Sequence, residues 1–294
     1  MNRREFLGVA GALMAGVGSG CADGAAGGGW KIGCYTRPWV KVDYRVALDG
    51  IAAAGYRHAG LMLTKGGPKP ALLVSVDTPV DEAAKIGGEA KARGLSVVSI
   101  YGGDFRAAQS VEAGVAGLRH LIDNCVACGC PSLLLGGNGK PELQEAYYKV
   151  VAECCAYAKE KRVELVLKPH GGLNATGPQV GEIVRRVNHP SFRVWYDPGN
   201  ILYYSDGQRD PAQDADAVAG LVTGMCVKDY AHPKNVALTP GDGQVDFAAV
   251  LAKLRQGGMS GGPLVVECLN PVEGEAIVAE ARRARDFLEG LVLR

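Results

Sequence analysis

Four stretches in the second half of the chain set ionisable side chains directly behind apolar runs. They are Lys168-Pro169-His170-Gly171-Gly172, Asp197-Pro198-Gly199-Asn200, Cys226-Val227-Lys228-Asp229, and Glu267 after Leu264-Val265-Val266. A carboxylate at the end of a buried strand costs several kcal/mol unless a cation or N–H donors meet it. Asp197 and Glu267 therefore need a cation or donors beside them, with Lys168 as a candidate partner, and His170 could be an acid/base or a metal ligand. Residues two apart on an extended chain share a face, so Lys168 and His170 point into one pocket. There an ammonium could stabilise a developing oxyanion. A neighbouring imidazole, kept neutral by that cation, could take a carbon-bound proton. Lys168, His170 and Glu267 are thus the catalytic candidates. Asn200, Lys228, Asp229 and His232 are candidates for holding substrate. A glycine turn at Pro240-Gly241-Asp242-Gly243 is weaker evidence for an anion site.

These residues need a scaffold that gathers strand ends. Eight short apolar runs occur at 31–35, 56–63, 95–101, 131–136, 163–168, 192–197, 224–228 and 263–268. Amphipathic, helix-length segments at about 43–54, 79–93, 110–128, 141–161, 178–188, 211–222, 247–256 and 273–291 alternate with them. Thr78 and Pro79 mark one helix start, Thr176 or Gly177 another, and Asp246 a third. The strand runs are apolar throughout, as parallel strands covered on both faces must be. Eight such units predict a single-domain α/β fold over 30–294, a (β/α)8 barrel, whose chemistry sits at the C-terminal strand ends. The stretches 198–210 and 229–245 read as long site-building loops.

Residues 1–29 are set apart. Arg3 and Arg4 precede Phe6, Leu7 and a mildly apolar, glycine-rich stretch too short to span a membrane comfortably. This pattern predicts a twin-arginine export signal with a flexible spacer, and hence a periplasmic or exported protein. Cys21 behind Gly18-Ser19-Gly20 leaves a lipid anchor open as an alternative to ordinary cleavage. Residues 1–20 hold two arginines and one glutamate, so the remaining chain carries equal numbers of basic and acidic residues. That balance argues against nucleic acid as a partner. The spacing Cys125-x-x-Cys128-x-Cys130 has no second cluster to complete a metal site. These read as buried thiols, with one disulfide among them left open. His58, His120 and His189 fall on strand or helix patterns and read as structural or surface residues.

Taken in order, the motifs Leu167-Lys168-Pro169-His170-Gly171-Gly172, Asp197-Pro198-Gly199-Asn200, Val227-Lys228-Asp229, Pro240-Gly241-Asp242-Gly243-Gln244-Val245-Asp246-Phe247 and Val265-Val266-Glu267 resemble the xylose isomerase-like barrel superfamily of sugar phosphate isomerases and epimerases. The likeness extends over about 31–292. It implies a divalent metal (Mn, Mg or Co) at the strand ends, with ligands at Asp197 and Glu267, and a small carbohydrate substrate. Two usual ligand positions differ: Lys168 stands where a glutamate is expected, and Cys226 where a histidine is expected. The motif Lys168-Pro169-His170-Gly171-Gly172 is similar to the His-Pro-His-x-Gly of the inosose dehydratase branch. The expected activity is a sugar isomerase or epimerase working through an enediolate. A keto-sugar dehydratase or lyase, and a non-catalytic sugar-binding barrel, are the alternatives.

Overall fold

The computed structural model describes residues 29–293. Eight strands close into a parallel barrel: β1 (Trp30–Tyr35) and β2 (His58–Leu61), then, after a small antiparallel hairpin of β3 (Leu63–Thr64) with β4 (Ala71–Leu72), β5 (Ser96–Tyr101), β6 (Ser132–Leu135), β7 (Glu164–Leu167), β8 (Phe192–Tyr196), β9 (Val222–Val227) and β10 (Gly262–Val266). β10 returns to pair with β1 and completes the ring. The hairpin inside the loop after β2 has no counterpart in the sequence pattern, because two-residue strands leave no periodic signal.

Helices cover the outside: α1 (Tyr44–Ala53), α2 (Val80–Ala92), α3 (Val111–Cys128), α4 (Pro141–Lys161), α5 (Gly177–Val187), α6 (Pro198–Tyr204), α7 (Pro211–Asp214), α8 (Phe247–Gln256) and α9 (Glu275–Val292). Thr176 and Gln179 form a reciprocal capping box on α5, and Asp246 caps α8 through the Ala249 amide. Pro79 proves to be the cap residue of α2 rather than its first turn, while Thr78 Oγ1 accepts from the Ser75 amide. Two expectations need larger correction. The stretch 198–210 contains α6, because Asp197 at the cap and Pro198 at the first position are a helix start as well as a turn signal. The helix expected over 211–222 is only α7 and a 3-10 turn at Ala215–Val218. Gly220, at φ 76°, breaks it, and β9 begins at Val222.

The barrel interior explains where the site lies. One residue from each strand, or from just beyond it, fills the inside: Tyr35, Met62, Val98, Leu134, Val166, Trp195, Cys226 and Val265, all buried. A far larger apolar cluster fills the space between strands and helices. The barrel is thus a packed core, and inward-pointing side chains two residues further along the strands face the mouth.

Candidate functional site

Strand alternation builds the site. Two residues beyond the interior layer the inward side chains are charged: Tyr35 is followed by Arg37, Val166 by Lys168, Trp195 by Asp197, Cys226 by Lys228, and Val265 by Glu267. Five neighbouring elements thereby deliver three cations and two carboxylates to one point. Lys168 Nζ donates to Glu267 Oε2 at 2.7 Å and to Asp197 Oδ2 at 3.2 Å. Lys228 Nζ lies 2.6 Å from Glu267 Oε1, 3.2 Å from Asp197 Oδ2 and 3.0 Å from Asn200 Oδ1. Arg37 Nη1 donates to Glu267 Oε1 at 2.5 Å. Asp197 Oδ1 is taken by the Asn200 amide, so that carboxylate both caps α6 and joins the cluster. Asn200 Nδ2 donates to the Pro169 carbonyl, which ties the β8 end to the β7 end.

Lys168, Asp197, Lys228 and Glu267 are all almost completely buried. Burial alone would drive each towards its neutral form, and the partners overrule it. Against its own desolvation, Glu267 is held well below the usual carboxylate range by Lys168, Lys228 and Arg37. Lys168 is held well above the ordinary lysine value by Glu267 and Asp197, again against desolvation, and Lys228 is raised by the same two carboxylates. Glu267 is therefore a poor proton acceptor. Its role is to anchor three cations. With three positive and two negative groups in contact, the cluster carries an excess positive charge. Lys168 has three N–H donors and two partners among the described residues, which leaves one for a ligand.

The cluster floors a cavity of about 460 Å³, within the usual size of small-molecule sites. Its walls include Met62, Leu63, Tyr101, His170, Tyr203 and Tyr204. His170 stands between two tyrosines, with ring centroids 6.3 Å from Tyr101 and 6.1 Å from Tyr204. Its pKa is pushed from 6.5 down to about 3 by desolvation in the concavity and by the Lys168 and Lys228 charges. The imidazole is therefore neutral at physiological pH. The two glycines behind it serve packing rather than ligand approach: a Cβ on Gly171 would meet the Tyr204 ring at 2.6 Å, and one on Gly172 the Gly139 Cα at 2.5 Å.

The structure thus gathers Lys168, His170, Asn200, Lys228 and Glu267 around one cavity, with Asp197 in the ion-paired cluster beneath, and leaves two other candidates outside it. Asp229 is fully buried and faces away from the mouth. Its two oxygens accept from the amides of Tyr230 and Val245, and of Gly241 and Gly243, at 2.8–3.1 Å. It organises the loop after β9 and cannot hold substrate. The same bonds consume the amides of the glycine turn, so no anion site forms there. His232 is exposed and does not line the cavity. Sequence reasoning missed Arg37, although the period-2 rule from Tyr35 would have found it. It also missed the tyrosine walls, for which no local signal exists. His120 Nε2 donates to the Thr78 carbonyl and His189 Nδ1 accepts from the Ser191 amide, in keeping with structural roles, and His58 lies half-buried on β2. The cysteines of the described residues are free and buried, and none of Cys125, Cys128 and Cys130 forms a disulfide.

Asp197, Cys226 and Glu267 each present a potential ligand atom, all within 4.8 Å of one another. Their chemistry does not suit a divalent cation. Two ammonium groups and a guanidinium already occupy the carboxylate oxygens, and burial holds the Cys226 thiol protonated, with its pKa far above normal. The Lys168 ammonium lies against oxygens of both carboxylates, where a cation would have to sit.

Residues 48–290 match the family model described as xylose isomerase-like TIM barrel. The chain belongs to that family. Solved structures similar to this xylose isomerase-like barrel include a xylose isomerase domain protein from Planctomyces limnophilus, with a TM-score of 0.67, 21% identity, and coverage of 89% of this chain and 97% of that one. A D-psicose 3-epimerase with D-tagatose from Clostridium cellulolyticum H10 superposes with a TM-score of 0.70 at 14% identity, covering 89% and 99% of the two chains. An L-ribulose 3-epimerase gives 0.68 at 16% identity over 90% and 94%. These identities establish a shared fold. No protein of curated function matches the sequence.

Proposed function

We propose that this barrel is a carbohydrate isomerase or epimerase that forms an enediolate with its own cations in place of a metal. The observation that carries this reading is the uncommitted N–H of Lys168 on the floor of a cavity walled by a neutral His170. The imidazole accepts the proton from the carbon next to a carbonyl. The C–H electron pair becomes part of the new C=C bond, and the carbonyl π pair moves to oxygen. That oxygen receives the Lys168 hydrogen bond and the excess positive charge of the cluster. The adjacent hydroxyl proton passes to the enediolate oxygen, the imidazolium returns its proton to the former carbonyl carbon, and the deprotonated oxygen becomes the new carbonyl, which isomerises the sugar. Return to the opposite face of the same carbon, by another donor, would epimerise it. A base with a pKa near 3 is weak, so the rate depends on how far the cluster stabilises the enediolate.

The likeness in fold to a D-psicose and an L-ribulose 3-epimerase makes ketoses the first sugars to try. The test is incubation of the purified protein with D-psicose, D-tagatose, D-fructose and L-ribulose in deuterated water, read by NMR. Deuterium should enter at carbon with the wild type. His170→Gln should lose exchange while sugar binding survives. Saturable binding without exchange would support the non-catalytic sugar-binding barrel, and exchange retained in His170→Gln would remove the assigned base.

We propose further that the protein is exported through the twin-arginine route. The support is Arg3-Arg4 with Phe6 and Leu7, which lie outside the described residues. Changing both arginines to lysine should trap the precursor in the cytoplasm, and unchanged export would refute the signal. A lipid anchor at Cys21 predicts that Cys21→Ala leaves the membrane fraction.

A further inference from the structure

The barrel mouth has a second lobe. A cavity of about 520 Å³ lies between the 3-10 turn at Arg37–Trp39, with the residues just after it, and the loop after β10. Its apolar walls include Pro38, Trp39, Val40, Leu269 and Val272. It is continuous with the charged lobe, because Arg37, Val236, Ala237 and Glu267 line both. A ligand held above Lys168 therefore meets the second lobe across the Arg37–Glu267 ion pair.

The polar side chains along the inner walls of this second lobe are committed, and its remaining charges stand at the exposed rim. Asn270 donates to Asp242 and Glu280, and its Oδ1 accepts from the Thr239 amide. Lys41 and Glu273 pair with each other at 2.6 Å and are exposed. Arg37 and Glu267 belong to the cluster. What remains for an occupant is aliphatic and aromatic surface. A second sugar ring would lose hydrogen bonds to water there and regain few, a cost of about 1–3 kcal/mol for each polar group left unpaired. An apolar group would gain from the same walls.

We infer that the substrate is a keto-sugar carrying an apolar substituent, in chemical class an aryl or alkyl glycoside with a ketone on the sugar ring, with the sugar over Lys168 and His170 and the substituent in the second lobe. This rests on the carbohydrate reading of the charged lobe. It deepens that reading by placing the glycosidic bond beside Arg37 and Glu267.

The test uses unreactive analogues that lack the ketone: methyl and para-nitrophenyl glycosides of glucose, galactose, mannose and xylose are titrated calorimetrically into the mature protein. In at least one pair the aryl member should bind about 10-fold tighter, as burial of a small ring's apolar area would give. Val40→Asp and Val272→Asp, at half-buried and exposed wall positions outside the charged cluster, should each abolish the gain and leave methyl glycoside affinity unchanged. Equal affinity within every pair, or a gain indifferent to both substitutions, overturns the inference and leaves the carbohydrate reading standing. Tighter binding of methyl cellobioside than of the aryl glucoside overturns it in favour of a second sugar. If para-nitrophenol alone binds as well as its glycosides, or if nothing binds, both readings fall.

Discussion

The charged cluster at β7–β10 and the loop that follows β9 each bury a carboxylate completely, and they neutralise it by opposite means. Asp229 is met by four backbone amides, which have no other task and no freedom to move. Glu267 is met by three cationic side chains, of which Lys168 keeps a donor for something else. Amide solvation fixes a loop. Solvation by cations stores positive charge at the floor of a cavity, where a developing oxyanion can use it. The surroundings of two similar buried acids thus separate architecture from chemistry.

Substitutions at the two acids should widen that contrast. Glu267→Gln leaves buried cations short of a partner and should cost about 3–5 kcal/mol in chemical denaturation, with an exchange rate lower by roughly 10²-fold or more. Asp229→Asn keeps one acceptor oxygen against four amides. It should cost about 3 kcal/mol and alter binding only through the loop. Equal losses of exchange in the two variants would erase the distinction. A smaller effect comes from Lys168→Met combined with Glu267→Leu, which removes one charge of each sign. The pair should be about 1–2 kcal/mol more stable than the sum of the single variants; strict additivity would show that the two do not interact.

The pH dependence sharpens the same comparison. The folded-state pKa of His170 lies near 3, below its ordinary 6.5. Between those values the unfolded chain binds a proton that the folded chain does not, so stability falls as pH drops through that window. Glu267, also depressed, adds its loss only as pH falls below its ordinary 4.5. His170→Gln should therefore flatten the stability curve between about pH 6.5 and 4.5 and leave the more acidic limb, whereas an unchanged curve would contradict the depressed pKa assigned to the imidazole. Exchange by the wild type should not decline as pH passes through 6.5. In Lys168→Met, with a cation gone, the acid limb should move to higher pH. The smallest effect is expected at exposed His232: His232→Ala should change stability by less than about 0.5 kcal/mol and leave exchange intact.

The barrel was legible because its parallel strands are apolar on both faces and its helices carry caps, and five of the site residues stood where alternation put them. The same rule pointed to Arg37, but only once Tyr35 was known to face inward. Asp229 was misread because residue type and strand position cannot show which donors a distant loop will fold back. Gly241, Gly243 and Val245 lie 12–16 residues away. α6 hid behind Asp197-Pro198-Gly199, where turn and helix-start signals coincide. The second lobe was invisible, since it is made by two loops that approach only when β10 closes on β1.

The central claim is that the cations of this chain, and not a divalent metal, satisfy Asp197 and Glu267. Titration of the metal-stripped protein with manganese(II), followed by electron paramagnetic resonance, tests it without knowledge of the substrate. The account predicts that the free-ion signal grows in proportion to added manganese at micromolar concentrations, in the wild type as in Glu267→Gln. Stoichiometric loss of the free-ion signal in the wild type, abolished by Glu267→Gln, would contradict it.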